Sequence, residues 1–125
     1  YKLVTGVQTC ALPIYDDLFE RYVAGTDFIQ QYIFPGGCLP SAREFRKQAS
    51  LAGLNVVDEL AFGPDYAETL RRWKSAFFEN KVQVEELGFD QRFSKIWEFY
   101  LSYCEAAFDG DDINVVQFTL QKPSV

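Results

Sequence analysis

The stretch Asp27-Phe-Ile-Gln-Gln-Tyr-Ile-Phe-Pro-Gly-Gly-Cys-Leu-Pro40 decides the fold, because in it the end of an aromatic-rich helix meets a rigid turn. Its apolar side chains recur at the spacing of one helix face, at Phe28, Ile29, Tyr32 and Ile33. Pro35 ends that helix, and Gly36 and Gly37 allow backbone angles with φ above zero. Taken alone, this pattern predicts a plain helix-to-loop connection.

Helical patterns flank this stretch on both sides. From residue 17 the chain is predicted to be helical, with a break in the middle, where Thr26 or Asp27 could cap a second piece. After the turn, Ser41 and Glu44 stand at the spacing of a capping box, in which two side chains reciprocally satisfy free backbone amides. A further helix is therefore predicted to begin at this point.

Two strand-like segments enclose two long helices in the second half of the chain. Residues 54–60 and 113–120 have β-branched centres that predict strands. Pro64 suits the first turn of one helix, whose apolar stripe consists of Tyr66, Leu70, Trp73 and Phe77. Asp90 caps the other helix, which ends at Gly110 and whose stripe consists of Phe93, Ile96, Trp97, Tyr100, Leu101, Cys104 and Phe108. This order predicts an α/β fold, although two strands alone make no stable sheet.

The composition is that of one globular domain or part of one. The chain has 125 residues, of which 48% are hydrophobic and 17% aromatic, enough for a packed core. No run approaches the roughly 18 apolar residues of a membrane-spanning helix. The formal charge of −6 argues against nucleic-acid binding, which needs a basic surface.

The sequence lacks the residues that several common kinds of catalytic and binding site require. The chain has no histidine, which is the usual general base and the commonest metal ligand. Cys38 and Cys104 have no CxxC spacing, so we expect no metal site and no disulfide framework, and a reducing cytoplasm suits both thiols. Neither Gly-x-Gly-x-x-Gly nor Gly-x-x-x-x-Gly-Lys occurs, so no nucleotide-binding loop is expected here.

Residues 4–14, Val-Thr-Gly-Val-Gln-Thr-Cys-Ala-Leu-Pro-Ile, resemble the translation of a common short-read sequencing adapter. We therefore divide the chain into a non-native segment, residues 1–14, and a native portion, residues 15–125, whose own N-terminal part is missing. The alternative is a natural, mildly apolar segment. Because nothing would have selected an adapter sequence to pack, we expect Val7 and Leu12 to lie outside the core.

The turn belongs to a longer motif with two companions further along the chain. Residues 32–40 resemble the Tyr-Ile-Phe-Pro-Gly-Gly-x-Leu-Pro signature of cyclopropane-fatty-acyl-phospholipid synthases, which are S-adenosylmethionine-dependent methyltransferases. Residues 62–73, Phe-Gly-Pro-Asp-Tyr followed by Thr-Leu-x-x-Trp, are similar to a second motif of that family. Residues 99–108 are similar to a third, and the resemblance runs from about Asp16 to Pro123.

This resemblance implies the C-terminal part of a class I methyltransferase, a Rossmann-like α/β sheet. The strands at 54–60 and 113–120 would be its sixth and seventh, which form an antiparallel pair. The helices between them would be the family's helical insertion over the active site. Because the seventh strand normally lies between the fifth and sixth, we expect one of its edges to lack a partner here.

The resemblance also implies a reaction. Members of the family transfer a methylene group to the cis double bond of a phospholipid acyl chain, through a carbocation that then loses a proton to a bound bicarbonate. Tyr66 matches the tyrosine that holds this bicarbonate, because a phenol can donate to an anion without neutralising it. The alternative is that Tyr66 only begins a core stripe with Leu70 and Trp73.

By the same resemblance, six further residues are candidates for substrate binding: Phe34, Gly36, Gly37, Trp73, Tyr100 and Cys104. The alternative for most aromatic residues of the two stripes is the core between the helices, and Cys104 also suits a small buried position. The S-adenosylmethionine site would lie upstream of residue 15, so no cofactor-binding residue is expected in this chain. The portion alone would then be inactive.

The partners implied are phospholipid acyl chains at a membrane surface and, for the full-length enzyme, a second copy in a homodimer. The location implied is the cytoplasm, with peripheral attachment to the membrane. One alternative is a relative that leaves a methyl or methylene branch or methylates another apolar substrate. Another is a non-catalytic helical module that binds lipid or protein, whose gene would lack an upstream glycine-rich loop.

Overall fold

A computed structural model describes residues 6–123 of the chain, with side chains from residue 9 onward. The chain forms three strands, five α-helices and one π-helical segment within this range. In chain order these are β1 Gly6–Ala11, α1 Asp16–Ala24, the π-helical segment Ile29–Ile33, α2 Ala42–Leu51, β2 Asn55–Ala61, α3 Gly63–Glu79, α4 Lys81–Glu86, α5 Gln91–Asp109 and β3 Val116–Gln121.

The three strands form one antiparallel sheet in the order β1-β3-β2. The pairing of β2 with β3 confirms the antiparallel pair expected from the sequence, with a bulge between Val56 and Asp58. The expectation that β3 would have one unpaired edge is wrong, because β1 pairs with it from Gly6 to Ala11. Strand pairing uses backbone groups that every residue except proline carries in full, so this segment can complete the sheet whatever its origin.

The N-terminal segment joins the rest of the structure through backbone hydrogen bonds and through side chains, with Ala11 packed against the core that contains Phe118. Ile14 N donates to Pro40 O at 2.9 Å, and the Ile14 side chain is buried. Leu12 is 38% exposed, whereas the side chain of Val7 lies outside the described part of the chain. Whether residues 4–14 derive from an adapter stays a prediction.

Helix α2 covers one face of the sheet. Its Phe45 stacks on the fully buried Phe118 of β3 at a ring-centroid distance of 4.2 Å. Ser41 Oγ accepts from Glu44 N at 3.1 Å, so the first half of the predicted capping box is present. The Glu44 carboxylate accepts instead from Gln48 Nε2, one turn further along the helix.

Helices α3 and α5 pack against each other and build the second core. Its buried residues are Ala67, Leu70, Leu101, Cys104, Phe108 and Val115. Asp90 Oδ1 accepts from Phe93 N at 2.8 Å, which confirms the predicted cap of α5. Arg71 links the two helices on their outer side through Glu105 at 3.4 Å and Asp109 at 2.8 Å. Within residues 6–123, no helix is both long and apolar enough to cross a membrane.

Candidate active site

An apolar cavity of about 530 Å³ opens between α3, α5 and the π-helical segment. This volume lies within the range of about 300–1,000 Å³ that is typical of small-ligand sites. Its lining consists of Leu12, Ile29, Phe34, Leu39, Tyr66, Leu70, Trp73, Ala76, Phe77, Trp97, Tyr100, Leu101, Cys104, Phe108 and Ile113. Because every lining side chain is apolar or aromatic, or carries only a hydroxyl or a thiol, the cavity suits an uncharged hydrocarbon.

The π-helical segment carries Phe34 to the mouth of this cavity. Asp27 Oδ1 accepts from Gln30 N at 2.8 Å and Gln30 Oε1 accepts from Asp27 N at 3.0 Å, which is the cap predicted for the second helical piece. Phe34 N donates to Ile29 O at 2.8 Å, an i to i+5 bond that widens the last turn. The Phe34 ring, 57% exposed, then meets Tyr100 edge-on with centroids 6.3 Å apart.

The two glycines of the turn are required for different reasons. Gly36 has φ +79°, so it adopts the left-handed conformation that a glycine allows there. Gly37 does not use this freedom, because its φ is not positive. A Cβ on Gly37 would instead lie 3.0 Å from Phe34 O, whose carbonyl accepts from Gly37 N. Gly37 therefore permits a close approach of two backbone segments.

Tyr66 lies in the first turn of α3 and lines the cavity. Its ring packs edge-on against Phe108 at 5.0 Å and Trp73 at 6.0 Å. Burial raises the pKa of its phenol, so the hydroxyl keeps its proton at neutral pH. The hydroxyl takes part in none of the hydrogen bonds found among residues 6–123. It is therefore a neutral donor without a partner in the described part of the chain.

Tyr100 and Cys104 lie one helical turn apart on α5 and also line the cavity. Burial raises the pKa of the Tyr100 phenol to about 12 and that of the Cys104 thiol to about 11. Both groups are consequently uncharged at neutral pH. A thiol held in this form is a poor nucleophile, which agrees with the interpretation of Cys104 as a small buried residue.

The structure brings together most of the residues singled out from the sequence. Phe34, Tyr66, Trp73, Tyr100 and Cys104 all border the cavity. Gly36 and Gly37 are absent from its lining, so their part in substrate binding stays a prediction. Trp73 is 52% exposed, which places it at the rim and not in the core between the helices.

Sequence reasoning missed several aliphatic lining residues, namely Leu12, Leu39, Ala76 and Ile113. No local signal could have identified them. Leu39 follows a turn and Ile113 precedes a strand, and each reaches the cavity only because the sheet brings both segments beside α5.

A second cavity of about 540 Å³ adjoins the first. The two share Ile29, Leu39, Cys104 and Ile113 as a common wall. Arg21, Asp27 and Asp112 border the second cavity. Its charged lining suits an alkyl chain less well, so we take the apolar cavity as the candidate site.

Comparison with known proteins relates the chain to lipid-modifying enzymes. The family model described as mycolic acid cyclopropane synthetase matches residues 7–118. The tuberculostearic acid methyltransferase UfaA1 of Mycobacterium tuberculosis is 39% identical over 116 residues, which are 92% of this chain and 27% of that protein. The cyclopropane-fatty-acyl-phospholipid synthase of Escherichia coli K12 is 34% identical over 95 residues, 76% of this chain and 24% of that protein. The chain thus spans about a quarter of the length of these relatives.

Solved structures show the same fold. The mycolic acid cyclopropane synthase CmaA1, complexed with SAH and CTAB, matches with a TM-score of 0.82 and 29% identity, over 94% of this chain and 44% of that one. The cyclopropane synthase MmaA2 from Mycobacterium tuberculosis matches with the same TM-score at 24% identity, covering the same shares of the two chains. These likenesses confirm the expected fold class, the α/β sheet and helices of a class I methyltransferase.

Proposed function

The chain belongs to the mycolic acid cyclopropane synthetase family, and from this premise we propose that it is the C-terminal part of an S-adenosylmethionine-dependent enzyme that adds a methylene group to the cis double bond of phospholipid acyl chains. The product is a cyclopropane fatty acid. The observation that carries the proposal is the apolar cavity, because it unites residues from all three sequence motifs around a space of about 530 Å³.

The shape and chemistry of the cavity support an acyl chain as its occupant. Its walls offer hydrocarbon and aromatic surface, and burial of apolar area stabilises a bound alkyl chain by about 25 cal/mol per Å². Phe34 and Trp73, both more than half exposed, stand at the rim, where a chain would enter. Leu70, Leu101 and Phe108 are buried beneath it.

The aromatic faces also support chemistry that passes through a cation. An attack of the alkene on an electrophilic methyl group leaves positive charge on the acyl chain. The rings of Tyr66, Trp73 and Tyr100 line the cavity, and no charged side chain is among the lining residues. Each ring face can stabilise a cation by about 0.5–2 kcal/mol.

Tyr66 is the residue of this chain that fits bicarbonate. Its hydroxyl is neutral and unpartnered among the described residues, and it borders the cavity where the proton must leave. When bound, bicarbonate would supply a base that the cavity lining does not, since neither a carboxylate nor a histidine is among the lining residues. The hydroxyl of Tyr66 would hold the anion and orient it toward the cavity.

S-adenosylmethionine supplies the methyl group in this proposal, from a site outside the described residues. Residues 6–123 would contribute the acyl-chain walls and one donor to the base. The remaining expectations, namely a membrane surface as partner, a homodimer and a cytoplasmic location, are part of the same proposal.

The experiment that tests the proposal is product analysis with the complete enzyme. It would be given vesicles of a phospholipid with one cis double bond per acyl chain, together with S-adenosylmethionine labelled in its methyl carbon. We expect the label in a ring methylene, detected by carbon NMR and by the mass gain of one methylene group. Fully saturated phospholipid is the control and should gain no label.

A branched product is the second candidate, and the 39% identity to a protein named as a methyltransferase favours considering it. Both products start from the same cation. Loss of a proton from the added methyl group with ring closure gives the cyclopropane, whereas a 1,2-hydride shift followed by loss of that proton gives an exocyclic methylene branch. Conversion of this branch to a saturated methyl group would need a separate hydride donor. A labelled methyl or exocyclic methylene branch in the experiment above would select this candidate. Absence of label from every lipid would overturn both.

A further inference from the structure

Asn114 joins the start of α3 to the segment that leads into β3. Its side-chain Oδ1 accepts from Gly63 N at 2.8 Å and from Val115 N at 2.8 Å. Gly63 N is one of the backbone amides at the N-terminus of α3 that have no partner inside the helix. One amide oxygen therefore fixes the beginning of α3 against the sheet.

Gly63 is the residue that this contact requires. It is buried, and a Cβ built on it would lie 2.5 Å from Asn114 Oδ1. The residue before it is held from the same side, because Phe62 N donates to Val115 O at 2.9 Å. The chain thus enters α3 along a path that residues 114 and 115 determine.

Tyr66 follows Gly63 within the first turn of the helix. Its backbone N donates to Phe62 O at 3.2 Å, so the position of Tyr66 depends directly on the segment that Asn114 holds. Its ring rests on Phe108 at a centroid distance of 5.0 Å. A shift at the start of α3 would therefore move the phenol relative to the wall formed by α5.

From this geometry we infer that Asn114 is a positioning residue for Tyr66, and that Asn114 and Gly63 together set where the Tyr66 hydroxyl stands in the cavity. The inference rests on the function proposed for Tyr66. Asn114 is not among the residues that line the cavity, so it acts through α3 and touches no substrate. A displacement of about 1 Å can cost on the order of 10²-fold in rate when a group must be oriented.

Two substitutions break this contact by opposite means, which makes a double-mutant cycle informative. Asn114→Ala removes the acceptor, and Gly63→Ala drives a methyl group into it. We expect either change to lower kcat of the complete enzyme by about 10- to 100-fold with KM for the lipid unchanged. In the double variant the added methyl group no longer meets Asn114 Oδ1. Its decrease in kcat should therefore be close to that of Asn114→Ala alone, and not the product of the two single decreases.

Two controls separate positioning from general loss of stability. Asn114→Asp keeps an acceptor oxygen at the same place, beside a helix N-terminus that favours negative charge, and should restore most of kcat. Asp90→Ala removes a capping hydrogen bond of equal length, 2.8 Å, at the start of α5. It should destabilise the fold to a similar degree and leave kcat unchanged.

A spectroscopic measurement on the 125-residue chain tests the inference without catalysis. The chain would carry 3-fluorotyrosine, with the Tyr66 signal assigned by its loss in Tyr66→Phe and titrated by fluorine NMR. Burial raises the pKa of Tyr66, and Cys104 and Tyr100 are titratable groups beside it. We expect Asn114→Ala to shift this signal and to lower that pKa, whereas Asp90→Ala should change neither.

An unchanged Tyr66 titration in Asn114→Ala would overturn the positioning inference, whatever Tyr66 does in catalysis. Strictly multiplicative losses of kcat in the double variant would overturn it as well. By contrast, normal turnover in Tyr66→Phe would remove the proposed role of the hydroxyl and leave the NMR result standing. The two proposals therefore fail separately.

Discussion

Tyr66 differs from the other aromatic residues of the cavity in the position of its polar group. Its ring is packed on two sides by Phe108 and Trp73, and its hydroxyl has no hydrogen-bond partner among residues 6–123. Buried polar groups are normally hydrogen-bonded, and half-buried ones can use water or a ligand. The proposed role of Tyr66 in holding bicarbonate rests on this unpartnered hydroxyl.

We predict that Tyr66→Phe in the complete enzyme lowers turnover far more than stability. The ring remains in place, so the free energy of unfolding should fall by no more than about 0.5–1.5 kcal/mol. Loss of a positioned donor can cost on the order of 10²-fold in kcat. Kinetics at several bicarbonate concentrations would measure both effects, and added bicarbonate should recover part of the rate. Turnover equal to the wild type in a folded variant would assign Tyr66 to the core alone.

Cys104 and Tyr100 give the chain a predicted sensitivity to alkaline pH. Burial raises the thiol pKa from 9.0 to about 11, so the folded chain holds this proton more tightly than the unfolded chain. The resulting stability is fully present below pH 9 and is lost as pH rises toward about 11. Tyr100, raised from 10.0 to about 12, extends the loss to higher pH.

The measurement is the free energy of unfolding in urea below pH 9 and at about pH 11. Cys104→Ala should lose less stability between these two values than the wild type, although its stability below pH 9 is lower because a buried side chain is shortened. Cys38→Ala, at an exposed position, is the matched control and should lose as much stability between the two pH values as the wild type. Equal losses of stability between the two pH values in all three proteins would contradict the prediction.

At the scale of elements, the pair α3 and α5 forms the wall on which the site depends. Ala67 is fully buried at this contact, and its small side chain lets the two helices approach closely. The π-helical segment closes the opposite side and brings Phe34 to within 6.3 Å of Tyr100. Wide turns of this type are found frequently at functional sites, which suits its position at the cavity mouth.

The buried hydroxyl of Ser94 in α5 lowers the stability of the fold. It is 2% exposed, and its hydroxyl has no hydrogen-bond partner among the described residues. Because an unsatisfied buried hydroxyl costs about 1–3 kcal/mol, we predict that Ser94→Ala raises the free energy of unfolding by about 1 kcal/mol. Urea denaturation would measure this change.

Ser75→Ala on the exposed side of α3 is the matched control for Ser94→Ala. This substitution brings the same intrinsic gain in helix propensity, but it removes no buried hydroxyl. The difference between the two variants isolates the effect of burial. A net loss of stability in Ser94→Ala relative to Ser75→Ala would show that the hydroxyl has a partner in solution.

At the scale of the whole molecule, β3 is the central strand and both of its edges are paired. The sheet has α2 on one face, and residues of the second core, between α3 and α5, form part of the cavity wall. The described residues line an apolar cavity, and the sequence contains neither Gly-x-Gly-x-x-Gly nor Gly-x-x-x-x-Gly-Lys. The chain spans about a quarter of the length of relatives such as UfaA1.

We predict that the 125-residue chain alone binds no S-adenosylmethionine and modifies no lipid. The sequence lacks the glycine-rich loop that holds a nucleotide-like group against a helix N-terminus. Isothermal calorimetry at micromolar protein should show only heat of dilution, with the complete enzyme as the positive control. Micromolar affinity of the chain would place part of the cofactor site within these residues.

Local features were predictable wherever neighbouring residues decide the outcome. The break before Asp27, the left-handed Gly36 and the Asp90 cap follow from hydrogen bonds and backbone sterics that span only a few residues. The apolar stripes of α3 and α5 follow from helical periodicity in the same way. The antiparallel pairing of β2 with β3 was anticipated from the family resemblance, since no local pattern states which strands pair.

Tertiary structure alone decided whether each residue of the apolar stripes on α3 and α5 faces the core or the cavity, and how segments distant in the chain contact one another. Helical spacing places Trp73 on the apolar stripe of α3 and Phe108 on that of α5, yet one is 52% exposed at the cavity rim and the other 2% exposed in the core. Gly37 is required by the approach of Phe34 O, and Gly63 by Asn114 Oδ1. The sequence by itself determined the elements, because short-range interactions form them, whereas the cavity and the position of Tyr66 depend on distances between segments far apart in the chain.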